Sequence, residues 1–314
     1  MTAPSQIQRI KGIPFFGMGG EYTTGNQFFV DNGIGVDDAG TGHGTHPDKP
    51  FASIDYAVGQ CVSNNGDIVW VMPGHTETIS AASGINADVA GISIIGMGNG
   101  SNRPLITLGT DTAATVNVGA ANVRIKNLVF TSAIDSLAVF IVVGANDCVI
   151  EDCKFYTANT YEAVCFISLT TTYDNLTVRR CQFLQPTDPA GTDAAAGTGI
   201  IYCVDSENIF LEDIYFVGNF ETGFFHNKTT KCQNVWMRRI YGYSALSTAV
   251  PITLVADSTG GITDSLITSP NATDIAVANI VGVPGDKFFL GRTANFGNDS
   301  GGGQLAAFGD AEAS

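Results

Sequence analysis

Apolar residues in this chain alternate with polar ones in short runs, and one nine-residue version of that alternation recurs five times. The copies are Asn122–Phe130, Asp147–Phe155, Asn175–Phe183, Asn208–Phe216 and Asn234–Gly242, starting 25 to 33 residues apart. A weaker sixth copy ends in Leu266–Thr268. A period of two is the signature of a strand whose alternate side chains face one side. Positions 1, 3, 6 and 8 after the leading Asn or Asp are apolar in nearly every copy. They form four columns: Val123/Cys148/Leu176/Ile209/Val235, Ile125/Ile150/Val178/Leu211/Met237, Leu128/Cys153/Cys181/Ile214/Ile240 and Phe130/Phe155/Phe183/Phe216/Gly242. Two residues, not one, separate positions 3 and 6, so the chain must turn a corner there for both flanks to face inward.

Most copies follow a second apolar run, such as Ala114–Val118, Val139–Val143, Phe166–Leu169, Ile200–Val204 or Ile252–Val255; the fifth has the shorter Phe224–Phe225. Asp67–Met72 and Gly91–Gly96 read as opening rungs. Equivalent residues at each period are what a solenoid needs and what a compact sandwich does not. The predicted fold is all-β, a single-stranded right-handed parallel β-helix with a short N-terminal capping helix. Residues 1–46 read as an extended arm, 47–62 as the capping helix, 63–270 as the β-helix and 271–314 as a C-terminal region and tail. The helix is expected from Pro50 near its start and the apolar face of Phe51, Ile54, Ala57, Val58 and Cys61.

Composition agrees. In 314 residues, hydrophobic residues make up 44% and charged ones 14%, with 37 glycines. This suits many short strands joined by tight turns. The net charge of −15 leaves no basic stripe, so neither nucleic acid nor an anionic membrane is an expected partner. No signal-peptide pattern and no membrane-length apolar run is present. The odd number of cysteines, seven, fits a reduced, cytosolic place of synthesis. Cys153 and Cys181 share an inward column and read as small hydrophobes in a core ladder, with a disulfide as the lesser reading. No cofactor or metal is expected. There is no C-x-x-C pair, and His43, His46 and Asp48 sit in a Gly/Thr-rich loop. His75 with Glu77 reads as a turn and strand start.

The corner positions carry charges whose sign alternates rung by rung. The first position reads Lys126, Glu151, Arg179, Glu212, Arg238, Asp264, and the second Asn127, Asp152, Arg180, Asp213, Arg239. Exposed pairs of this kind contribute about 0–1 kcal/mol each, but a one-rung slip would set like charges together. The ladder therefore reads as a register device, and no catalytic residue is assigned. Phe210, Tyr215, Trp236 and Tyr241 fall in outward columns on adjacent rungs. Such a strip marks a partner surface, either for a threefold self-association or for stacking on sugars.

The stretch Phe29–Asp31, Gly44–Val58, Gly66–Gly74 and Glu77–Ile79 resembles the opening of pectate-lyase-like right-handed β-helix proteins, in the version encoded by tailed bacteriophages. The motif-specific part is residues 28–79. The resemblance implies a tailspike-like virion protein made in the host cytoplasm. Its expected role is non-enzymatic: a homotrimer that decorates or cements the capsid, with the major capsid protein or another virion protein as partner. The capsid surface is the expected location, ahead of the tail. The alternative is a tailspike-like depolymerase (lyase or glycosidase) or receptor-binding protein acting on bacterial surface polysaccharide, with Asp188, Asp193 or Glu221 lining its cleft.

Overall fold

The computed structural model describes residues 21–158, 161–169, 171–186, 199–220, 223–227, 230–245, 252–255 and 257–269, with the strands Gln8–Ile10, Ile13–Phe15, Ile280–Val281, Phe288–Gly291 and Ala294–Gly297 described as backbone only. The chain winds as a right-handed parallel β-helix, and each turn lays one strand on each of three faces.

The first face stacks Gln27–Val30, Ile68–Val71, Ser93–Gly96, Arg124–Lys126, Val149–Glu151 and Thr177–Arg179 in parallel register. The second stacks Thr76–Ile79, Leu105–Leu108, Val129–Ser132, Lys154–Tyr156 and Gln182–Leu184. The long strands Glu207–Gly218 and Gln233–Ser244 then run through both faces. The third face is an eight-stranded sheet that includes Val116–Val118, Ile141–Val143, Cys165–Leu169 and Gly199–Cys203. It is built from the second apolar runs of the sequence.

The repeat dictates this path residue by residue. All four inward columns are buried apart from Gly242, which has no side chain to bury. The corner between positions 3 and 6 is made by one residue in the left-handed region. Asn127, Asp152, Arg180, Asp213, Arg239 and Asp264 have φ between 51° and 57°. Asp264 thus holds the second corner position, level with Arg239, and not the first as the sequence pattern suggests, because Thr263 is the residue paired with Arg238. The leading Asn or Asp of each copy is left-handed too: Asn122, Asp147, Asn175, Asn208 and Asn234 have φ between 57° and 62°. Asn and Asp tolerate that conformation better than other non-glycine residues. They also ladder: the Nδ2 groups of Asn175, Asn208 and Asn234 each donate to the residue one rung back, at 2.7, 2.9 and 2.6 Å.

The aromatic column stacks where the sequence allows it. Phe130, Phe155 and Phe183 lie ring on ring with centroids 4.9 Å apart. A second stack from the third side, Phe140 on Phe166 at 5.2 Å, meets it edge-on. Phe216 is in register with Phe183, yet its ring stacks on Phe224 at 5.2 Å. Gly242 permits this, because a Cβ there would sit 2.1 Å from the Phe216 ring.

The boundaries differ from the sequence reading in three ways. The helix spans only Ile54–Val58, not 47–62. Ser53 caps it by accepting from Tyr56 N, while Phe51 is extended and bridges Val30. Pro50 thus sits in an extended lead-in and not in the first helical turn. The β-helix starts earlier than residue 63, since Gln27–Val30 pairs with Ile68–Val71 and belongs to the first rung instead of an arm. It also continues past residue 270, with Phe288–Gly291 and Ala294–Gly297 extending the first two faces.

Buried polar residues tie this opening together. Asp67 is fully buried and accepts from Asn26 N at 2.6 Å and Val62 N at 2.7 Å. His75, also fully buried, accepts from Asn32 N at 3.1 Å and faces Glu77 at 3.1 Å. Glu77 in turn accepts from Ile54 N at the helix start. His75 is therefore a pinning residue as well as a strand start.

Candidate functional site

The charge ladder and the aromatic strip lie on the outer side of the first two faces. The strand pairing sets Lys126 beside Glu151, Glu151 beside Arg179, Arg179 beside Glu212 and Glu212 beside Arg238, as the alternating signs require. One expectation fails: the ladder is not uniformly exposed. The Glu151 side chain is fully buried. Arg124 Nε, Arg179 Nε and Arg180 Nη2 each donate to it at 2.6 Å, and Lys126 lies 3.9 Å away. Glu21, far away in sequence, closes over the group by accepting from Arg124 and Lys126 at 2.6 Å. Burial pushes the Glu151 carboxyl up, but bonding to Arg124 and Arg179 more than reverses this and holds it below its ordinary value. Glu21 behaves alike, with burial opposed by Arg124 and Lys126.

A second cluster follows two rungs later. Arg239 pairs with Asp213 and donates to Glu212 at 2.6 Å, which holds the Asp213 carboxyl down. Arg238 reaches Glu212 at 3.8 Å and Asp264 at 4.0 Å. Arg180 joins the first cluster through Asp152 at 2.7 Å. These bonds hold Arg180 and Arg239 in a left-handed conformation that arginine seldom adopts.

Beside the first cluster opens a cleft of about 700 Å³. Its walls include Glu21, Lys126, Asp152, Arg180 and Arg103, with Trp70, Ile95 and Met97 as an apolar part. Trp70 and Ile95 belong to a small outward-facing cluster with Phe29 and Ile68, which the repeat pattern does not signal because it precedes the repeat. Arg103 donates to the carbonyls of Leu128 and Asp152, and among the described residues it pairs with no carboxylate. Three cations (Arg103, Lys126, Arg180) and two carboxylates (Glu21, Asp152) line the cleft, so its lining carries a slight positive excess in a chain of net charge −15.

The strip is exposed as expected: Phe210 43%, Tyr215 48%, Trp236 40% and Tyr241 48%. Register sets Phe210 beside Trp236 and Tyr215 beside Tyr241. The structure adds Tyr243, 40% exposed, beside Val217. It falls just past the ninth position of its copy, where the repeat stops being informative. Trp236 donates Nε1 to Asn234 Oδ1 at 2.5 Å, so the asparagine ladder fixes its indole. A shallow cleft of about 250 Å³ runs between Phe210, Glu212, Trp236 and Arg238.

The other candidates resolve as follows. Cys153 and Cys181 are buried thiols that donate to backbone carbonyls at 3.3 and 3.4 Å, so the ladder holds thiols there and no disulfide. His46 and Asp48 lie 3.5 Å apart and are exposed, and no metal-sized group of His, Cys, Asp and Glu occurs among the described residues. Asp188, Asp193 and Glu221 lie outside the described residues.

No family model matches this chain, and no curated protein matches it. Two solved structures are similar to it. A rhamnogalacturonan lyase aligns over 90% of both chains at 14% identity with a TM-score of 0.50. The GH136 lacto-N-biosidase from Eubacterium ramulus aligns over 87% of this chain and 68% of its own at 12% identity, TM-score 0.38. The first likeness agrees with the parallel β-helix fold. At that identity it speaks for the fold alone, since one such scaffold carries many unrelated functions.

Proposed function

We propose that this chain is a non-enzymatic structural protein of a tailed-phage virion that assembles as a homotrimer and decorates the capsid. The observation that carries the reading is the strip Phe210, Tyr215, Trp236, Tyr241 and Tyr243. Five large aromatics stand exposed side by side on neighbouring rungs of a rigid ladder. Aromatics with a fixed rotamer give contact area at small entropic cost, which is why Tyr and Trp dominate interface centres. The residue pattern of 28–79 supplies the phage context. The best-placed carboxylates also suit structure better than chemistry. A general acid needs a raised pKa, whereas Glu151 and Asp213 are held low by arginines.

A second reading keeps the same scaffold but gives it a polysaccharide. The locally positive cleft beside Arg103 and Lys126 supports it, since an acidic bacterial surface glycan would meet both cations and an apolar wall there. Quantitative mass spectrometry of purified phage particles separates the two. A copy number comparable with that of the shell protein is the expected result. A few copies confined to the tail, together with cleavage or tight binding of host polysaccharide by the recombinant chain, would replace the first reading with the second.

A further inference from the structure

Most buried thiols in the ladder point at backbone. Cys148, Cys153, Cys165 and Cys181 each donate to a carbonyl of a nearby residue at 3.2 to 3.4 Å. Cys153 and Cys181 also interact through their side chains, but Cys203 and Cys232 are set sulfur to sulfur. Their sulfurs face each other at 2.8 Å, both side chains are fully buried, and the two residues belong to successive turns. Cys203 ends the strand Gly199–Cys203, and Cys232 immediately precedes Gln233–Ser244. Gln233 N donates to Ser206 O at 3.0 Å, which clamps the two turns beside the pair. The separation is inside van der Waals contact for two sulfurs yet longer than the ~2.05 Å of a bond.

We propose that Cys203 and Cys232 form an inter-rung disulfide when the chain meets an oxidising thiol pool. The pairing rests on this local geometry and not on the virion reading. The oxidant is a small-molecule disulfide such as oxidised glutathione. The Cys232 thiolate attacks one of its sulfurs, forming a mixed disulfide and releasing one small thiol, which carries off the Cys232 proton. Cys203 then gives up its proton and attacks the Cys232 sulfur. The Cys203–Cys232 bond forms and the second small thiol leaves with that proton. Two protein thiols are oxidised, and one small disulfide is reduced to two thiols. The same products follow if Cys203 attacks first, since either sulfur can be the donor in the pair. Because both sulfurs are buried, exchange proceeds through local opening or while the rungs close during folding.

The test treats the full-length chain with oxidised glutathione in two arms, one added to the folded protein and one present during refolding. Each is quenched with acid, unfolded, alkylated and mapped without reduction. The expected result in at least one arm is a single linkage joining Cys203 to Cys232. Alkylatable thiols fall by two, the mass falls by about 2 Da, and the unfolding midpoint rises. Cys232→Ser should abolish the linkage and with it any difference in midpoint between treated and untreated chain. Both thiols remaining alkylatable in both arms would overturn the proposal. So would a linkage of either one to another cysteine, or equal formation in chain held unfolded in urea.

Discussion

Glu151→Ala is expected to lower stability by about 3 kcal/mol, read as a shift in the urea midpoint at constant slope. The variant leaves Arg124, Lys126, Arg179 and Arg180 gathered around an empty acceptor. Removing one partner of a buried ion group costs about 3–5 kcal/mol. The low end applies because Arg179 and Arg180 are 38% and 44% exposed and rehydrate in part. The same group fixes a pH signature. Its carboxyl is held below the ordinary glutamate value of about 4.3, so the unfolded chain binds the proton more readily than the folded one. The contribution is therefore complete above that range and is lost as pH falls through the lower folded value. Glu21 and Asp213 act in the same direction. Glu151→Gln should flatten the acid limb of the stability profile, and an unchanged acid limb would show that Glu151 is not held by these cations.

Phe155→Ala is the second large effect, expected at about 3–5 kcal/mol. Phe155 has Phe130 stacked on one side and Phe183 on the other, both at 4.9 Å, and the edges of Phe140 and Phe166 against its ring at 5.9 and 6.1 Å. The rungs are held apart by their backbone hydrogen bonds, so the space cannot collapse, and a cavity remains. Phe155→Leu should recover about half of the loss by refilling most of that volume. A loss below about 1 kcal/mol in the alanine variant would mean that the two stacks do not form a rigid core. Thermal or urea unfolding followed by circular dichroism checks both variants.

Much of this architecture was legible in the sequence because a solenoid writes its contacts at a fixed period. The four inward columns, the corner after position 3 and the pairing of opposite charges all followed from the nine-residue alignment. What escaped lies where local signals compete or distant segments meet. Pro50 and the apolar face of Phe51–Cys61 imitate a longer helix, but Phe51 is committed to a bridge with Val30 and Ser53 is the residue with a capping hydroxyl. Glu151 looked like one exposed corner acid among several. Its burial depends on Glu21 and Arg124, one outside the repeat and one in an outward column. The Asn at the head of each copy was visible as a repeat marker. Its left-handed backbone and side-chain ladder explain why the residue is Asn or Asp and not simply polar. Arg103 and Trp70 lie outside the aligned copies, so the positive cleft had no sequence signature.

The most direct test of the proposed role is the native mass of the recombinant chain beside that of the double variant Trp236→Glu with Tyr241→Glu. Both side chains are exposed and outside the core, so the variant should fold with unchanged circular dichroism. A trimer that becomes a monomer in the variant is the predicted result. A wild-type chain that is monomeric at micromolar concentration, or a variant that stays trimeric, would contradict the assignment of this strip as the assembly surface.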